Sequence, residues 1–320
     1  MTAGTAVRPA AGVVGRRTIA ALAQAEIRYT LRSRLLWAAA VLHAFLAWAP
    51  RLSDAVLGQM TVADEYALWD HLVAAPLVVA AFLLGNRAAL RDRPDTTSEL
   101  FAPTPADRWD RTAGVLAGAV VPAVIGLTVA GVQAALIAAD GGLPLGDAPF
   151  TARLTPTPLE ALGIPLFTTC AFVAGVALGC VVRSRAIGAL VTGIGGLALF
   201  GAFWIWYIAP MAYVALSRNS LVTHDLGASP SPAELERWMA VTGPTEFTRY
   251  YVGLERDLAF YAVHLAFVVG AIGILAGIAL ARSGRDRRTW WVLGPGLLLA
   301  VAAVLWQVFV FDGPVEWLSE

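Results

Sequence analysis

Four histidines, two cysteines and no lysine limit the chemistry open to this sequence of 320 residues. All 23 basic residues are arginine. A phosphate-binding loop of the form G-x-x-x-x-G-K-[ST] needs its lysine on the phosphates, so the chain holds no such ATPase site, and Schiff-base catalysis is excluded with it. H-E-x-x-H, G-x-S-x-G and C-x-x-C are absent too. Cys170 and Cys180 share one apolar segment. On a helix they stand roughly 15 Å apart, too far for a bridge or a shared metal, so both read as small buried hydrophobes. His43 and His264 fall within apolar segments. Facing imidazoles at equal depth would suit a b-type haem, but no histidines stand three or four residues apart, and a polar pore contact or an interhelical hydrogen bond fits them better. Asp64, Glu65, Asp70 and His71 are the one set of acids and histidine near a common interface, as an enzyme acting on lipid or isoprenoid would need. Asp70 and His71, with the aromatic cluster Phe203, Trp204, Trp206 and Tyr207, are also the candidates for a substrate path. The competing readings are hydration at the interface for the first pair and lipid-facing packing for the second. Glu160, at the start of an apolar segment, reads as interfacial.

The elements that carry these residues are long and apolar. Hydrophobic residues make up 58% of the chain and charged residues 14%, with mean hydropathy +0.66. Soluble domains run at about 45–50% and 25%, so the composition is that of a polytopic membrane protein. Seven stretches stand out: 35–49, 72–85, 112–139, 159–182, 187–216, 258–281 and 290–311. A span needs roughly 20 residues, so the first two must borrow from their flanks. Small-residue pairs at four-residue spacing (Gly114/Gly118, Gly175/Gly179, Gly273/Gly277) allow helices to approach closely. Arg16-Arg17 is followed by no cleavage-site pattern, so the N-terminus does not read as a cleaved signal.

Arginine placement sets an orientation. With the N-terminus cytoplasmic, the inner segments hold 17 arginines against 7 acids. The outer ones hold Arg51, Arg153, Arg218, Arg237, Arg249 and Arg256 against 16 acids. Seven spans would then leave the C-terminus outside. Pro210 is expected to kink or end the fifth span near the outer side.

Three segments outside the bilayer have character. Residues 16–34 read as an amphipathic helix, with Ile19, Leu22, Ala23, Ile27 and Leu31 on one face and Arg17, Arg28 and Arg32 opposite. In the first inner loop, Thr96 with Glu99 fits a capping box for a short helix ending near Ala102, stopped by Pro103 and Pro105. Thr104 with Asp107, and Pro105 at the first helical position, then starts a helix into the third span. The outer segment 217–257 carries Ser231-Pro232-Ala233-Glu234 ahead of Leu235, Trp238 and Met239, which predicts a small external helix, with 247–252 turning back toward the bilayer.

Taken together, the run RDRPDTTSELFAPTPADRWDRTAG at 91–114, the amphipathic helix before the first span, the short inner loop at Arg183-Ser184-Arg185 and the large outer segment before the sixth span resemble the permease subunit of an ABC-2 type ATP-binding-cassette transporter. The resemblance covers roughly residues 16–282, and the seventh span departs from the six-span plan. It implies an all-α integral membrane fold, with an elbow helix in 1–34, a six-span domain in 35–282 and an added helix with an outer tail in 283–320. It implies a coupling helix near 97–102, with Arg93, Glu99, Leu100, Phe101 and Arg108 meeting a separate nucleotide-binding subunit. ATP and Mg would bind that partner rather than this chain. A second permease subunit would complete the pathway in a bacterial cell membrane, and export of a hydrophobic or amphipathic small molecule is the expected activity.

Overall fold

The computed structural model describes residues 11–52, 74–91, 107–145, 152–182, 184, 186–188, 190–191, 194, 220–227, 231–233, 241–243, 250–284 and 287–310. Among them the chain is mostly helical, and four helices are long and apolar enough to cross a membrane: Arg108–Ala139, Glu160–Val181, Leu258–Ser283 and Arg287–Val310. These are features of a multi-pass membrane protein.

In chain order the helices are α1 (Ala11–Leu31), α2 (Arg34–Leu52), α3 (Ala75–Arg91), α4 (Arg108–Ala139, with a 3-10 turn at Ala117–Ala119), α5 (Gly163–Val181, entered through a 3-10 turn at Glu160–Leu162), α6 (Leu258–Ser283) and α7 (Arg287–Val310). Between α4 and α5 lies a two-stranded hairpin, β1 (Leu143–Leu145) with β2 (Ala152–Leu154). Ahead of α6 stands a three-stranded antiparallel sheet in the order β3 (Leu221–Gly227), β5 (Tyr250–Arg256), β4 (Val241–Gly243).

The centre of the bundle is α5, with 67% of its apolar window buried against 22% for α7. Its glycines explain the contact with α3. A Cβ on Gly175 would stand 2.1 Å from the Phe82 carbonyl oxygen, and one on Gly85 would stand 2.0 Å from that of Phe172. Backbone therefore meets backbone, the approach that small residues permit in place of a hydrophobic driving force between spans. Phe172, Val173 and Val176 of α5, Leu77, Ala81 and Leu84 of α3 and Leu36 of α2 fill the main core. Cys170 is buried against Phe167 and Val268, and Cys180 edges the main core, so both pack as the small hydrophobes expected.

The other two glycine pairs also sit at close approaches. Gly114 faces Leu22 of α1, and Gly118 faces Glu26 and Phe172. On α6, Gly270, Gly273 and Gly277 face Ala300, Gly296 and Leu293 of α7, an antiparallel hairpin held over several turns.

Several boundaries differ from the sequence reading. Helix α3 continues past Gly85 to Arg91 because the residues beyond it have somewhere to go. Asn86, Ala88, Ala89 and Leu90 are buried, and Asn86 Nδ2 donates to the Gly175 carbonyl at 3.4 Å. Helix α4 starts at Arg108, three residues after Pro105. Its cap is Asp107, whose Oδ1 accepts from Asp110 N–H at 2.6 Å, a role aspartate fills at least as well as Thr104. The segment 217–257, read as outer, carries strands at 221–227, 241–243 and 250–256, which the sequence reading did not expect. Val222, Thr223, Val241, Thr242, Tyr250, Tyr251 and Val252 are strand formers, and pairing satisfies backbone that no helix supports. Of the expected external helix, Pro232 and Ala233 are helical and residues 234–240 lie outside the described residues. Of the fifth span, 186–188, 190–191 and 194 are helical, and the rest lies outside the described residues.

Candidate functional site

Five helices bring charged or hydroxyl side chains to one end of the bundle, the end that the arginines mark. There α1 lies across α4 with Ile19, Leu22, Ala23 and Ile27 half-buried and Arg28 and Arg32 exposed. The inward face is not purely apolar. Glu26 lies on it, and Thr30 is buried. Glu26 Oε1 accepts from Arg91 Nη2 at 2.6 Å and from Thr30 Oγ1 at 3.5 Å. The Arg91 guanidinium also stacks on the Tyr29 ring, 3.5 Å from its centroid. The last residue of α3 is therefore pinned to α1 by a charge-assisted bond and a cation–π contact. Trp37 Nε1 donates to the Leu31 carbonyl at 2.7 Å and closes the corner between α1 and α2.

On the other side of α4, Trp109 Nε1 donates to Thr289 Oγ1 at 3.2 Å, and Arg288 stands 3.8 Å from Asp110 and 5.4 Å above the Trp109 ring. The Thr112 and Ser283 hydroxyls bond to each other. The start of α4 is thus tied to α1 on one flank and to both ends of the α6–α7 turn on the other.

This end frames the segment that the sequence singled out. Residues 92–106 leave from Arg91 and return at Asp107, and both anchors are fixed as just described. Arg108 is placed, exposed in the first turn of α4. Arg93, Glu99, Leu100 and Phe101 lie outside the described residues, as do Asp70, His71, Phe203, Trp204 and Tyr207 of the candidate path.

The histidines within the bundle engage amides. His43 of α2 donates through Nε2 to Gln133 Oε1 of α4 at 3.3 Å, and His264 of α6 donates through Nδ1 to Gln307 Oε1 of α7 at 3.1 Å. All four side chains are buried. Gln307 also donates from Nε2 to the Ala303 carbonyl at 3.2 Å. Each pair joins two different helices, as expected of a polar residue in an apolar span. Among the described residues no group of three or more His, Cys, Asp and Glu could hold a metal ion.

The opposite end is organised by Glu160, which is buried at 2% exposure. Burial succeeds because the carboxylate is surrounded by donors. Thr157 gives it N–H at 2.6 Å and Oγ1–H at 2.8 Å, Ser220 Oγ donates to Oε1, and Arg256 lies 3.7 Å from Oε2. Glu160 N–H returns a bond to Thr157 Oγ1 at 3.3 Å, which makes Thr157-Pro158-Leu159-Glu160 a capping box. Tyr261 donates to the Glu160 carbonyl at 3.3 Å, and Asp257 N–H donates to the Ser220 carbonyl at 2.8 Å. One carboxylate thereby roots β3, β5 and the start of α6 on α5. Nearby, Arg153 donates to the carbonyls of Asp140, Gly141 and Gly142 at 3.2, 3.2 and 2.9 Å, capping the end of α4 where the chain turns through two positive-φ glycines.

Glu26, Asn86, Gln133 and Gln307 are organising polar residues that the sequence reading passed over, and Glu160 was read only as interfacial. Only Glu160 had a legible signal, the Thr-x-x-Glu spacing ahead of an apolar run. No protein-family model matches the chain, and no curated protein matches it.

Proposed function

We propose that this chain is the membrane-spanning permease subunit of an ATP-binding-cassette exporter for a hydrophobic or amphipathic small molecule. A separate nucleotide-binding subunit supplies ATP hydrolysis with its own lysine and Mg, and a second permease subunit completes the pathway. The observation that carries the reading is the framing of residues 92–106. The segment that resembles a coupling helix leaves from an α3 end pinned to α1 by Glu26 and Arg91, and returns into an α4 start held by Asp107, Trp109 and Thr112. A push delivered to that segment would act on α3 and α4, and through the contacts of Arg91, Trp109 and Thr112 on α1, α7 and α6. In this reading Arg93, Glu99, Leu100, Phe101 and Arg108 touch the ATPase, and the Arg-rich end is cytoplasmic.

The test is co-expression with a lysine-containing P-loop ATPase. The expected result is a complex whose ATPase rate responds to substrate. Replacement of 97–102 by a Gly-Ser linker should abolish that response while the permease remains in the membrane. Transport by the purified chain with no ATPase subunit would overturn the proposal.

A further inference from the structure

Asn86 is the only amide side chain in α3, and it is buried. Three glycines from two helices close around it. The Gly175 carbonyl accepts from its Nδ2 at 3.4 Å. A Cβ on Gly179 would stand 3.1 Å from the Asn86 carbonyl oxygen and 3.4 Å from Nδ2. A Cβ on Gly188 would run into Oδ1 and stand 2.9 Å from Cγ. Gly175 and Gly179 belong to α5, whereas Gly188 lies in the helical start of the fifth span. Ser184 begins that helix, because its Oγ accepts from Ile187 N–H at 3.4 Å and its carbonyl from Gly188 N–H at 3.2 Å. The chain therefore leaves α5 at Val181, turns, and comes back at Gly188 to the same side chain.

A bond that served only to join α3 to α5 would need the Gly175 carbonyl and nothing from residue 188. The close fit at Gly188 adds the fifth span to the contact, and small residues on both arms let an amide fill the space between three backbones. Arg91, the anchor from which 92–106 departs, stands just over one turn beyond Asn86 on the same continuous helix. The contacts of Arg91, Trp109 and Thr112 lead from that segment to α1, α7 and α6. Asn86 supplies a further branch, to the span that carries Phe203, Trp204 and Tyr207 in the sequence.

We propose that Asn86 is a positioning residue that ties the inner start of the fifth span to α3, so that a displacement of the α3 end is delivered to the fifth span. What displaces α3 rests on the permease reading, and the tie itself rests on the glycine socket alone.

Hydrogen exchange of the purified chain in detergent tests the tie. N86A removes one hydrogen bond and empties the socket, and should speed exchange over 186–194 by roughly fivefold while the core of α5 keeps its protection. G188A overfills the same socket and should do likewise. The double variant N86A/G188A trades the amide for a methyl group and should recover most of the protection, because the two changes meet in one space. Unchanged exchange in N86A, or losses that simply add in the double variant, would overturn the tie. The delivery is read on the complex with the ATPase subunit, with ATP and vanadate as the probe. In the wild type, exchange should change at both 108–116 and 186–194. In N86A the change at 108–116 should remain and that at 186–194 should vanish. A wild-type response at 186–194 in N86A would overturn the delivery. No response at either place in the wild type would overturn the permease reading and the delivery with it, while the tie stands or falls on the exchange of the chain alone.

Discussion

Glu160 and the two His–Gln pairs are both buried polar arrangements, but their energetics differ. Glu160 is charged, and donors surround it from Thr157, Ser220 and Arg256. Removing one partner of such a cluster leaves the others desolvated, which costs about 3 kcal/mol. Amide–imidazole bonds between spans average only about 0.6 kcal/mol, because a loosened helix in lipid finds other partners. Glu160→Ala should therefore lower the melting temperature of detergent-solubilised protein markedly, and Gln307→Leu only slightly. Hydrogen exchange should also rise in β3 and β5 of Glu160→Ala while the core of α5 keeps its protection. Equal shifts for the two variants would show that the carboxylate is not the root of the three-stranded sheet.

At the level of elements, the glycines of α5 make the sharpest forecast. Alanine is the better helix former by about 1 kcal/mol, so a glycine in open space should gain from replacement. Gly131 of α4 has no atom within 4 Å of its Cβ position, whereas Gly175 has the Phe82 carbonyl oxygen at 2.1 Å. Gly131→Ala should be neutral or stabilising, and Gly175→Ala should destabilise by about 1–3 kcal/mol through forced separation of α3 and α5. Thermal unfolding in one detergent compares them directly. The same contrast shows what was legible beforehand. Periodicity and length located all seven helices among the described residues, five of them at nearly their final bounds, with α1 and α3 further off, and the spacing of small residues picked several glycines at close approaches. It named Gly175 and not Gly131, but it missed Gly85, whose close approach to the Phe172 carbonyl depends on a neighbour far away in the chain. The strands at 221–227, 241–243 and 250–256 were not legible because their pairing joins residues about 30 apart in the chain, which no local pattern signals. The start of α4 was set too early because Thr104, Pro105 and Asp107 all carry start signals and spacing alone does not rank them.

For the whole molecule, the arginine asymmetry and the structure agree on which elements share an end, since α1, the end of α3, the start of α4 and the α6–α7 turn are joined by the contacts of Glu26, Trp109 and Thr112. The sidedness itself is a prediction. With Cys170 and Cys180 replaced by alanine, a cysteine at Glu255 should react with a membrane-impermeant maleimide on intact cells, and one at Arg28 should react only after permeabilisation. The reverse pattern would invert the topology. The candidate site was legible only as a framed segment: its anchors Arg91 and Asp107 were in view, but the partner of Arg91, Glu26, stands 65 residues away, and no local pattern links them. The unequal burial of α5 and α7 bears on how the chain can drift over evolutionary time. A helix that touches protein on most sides admits few replacements at each position, whereas one that mostly faces hydrocarbon accepts any apolar side chain of similar bulk. Diverging copies of this gene should therefore keep α5 nearly letter for letter while α7 retains only its glycine face, Gln307 and the arginines at its head.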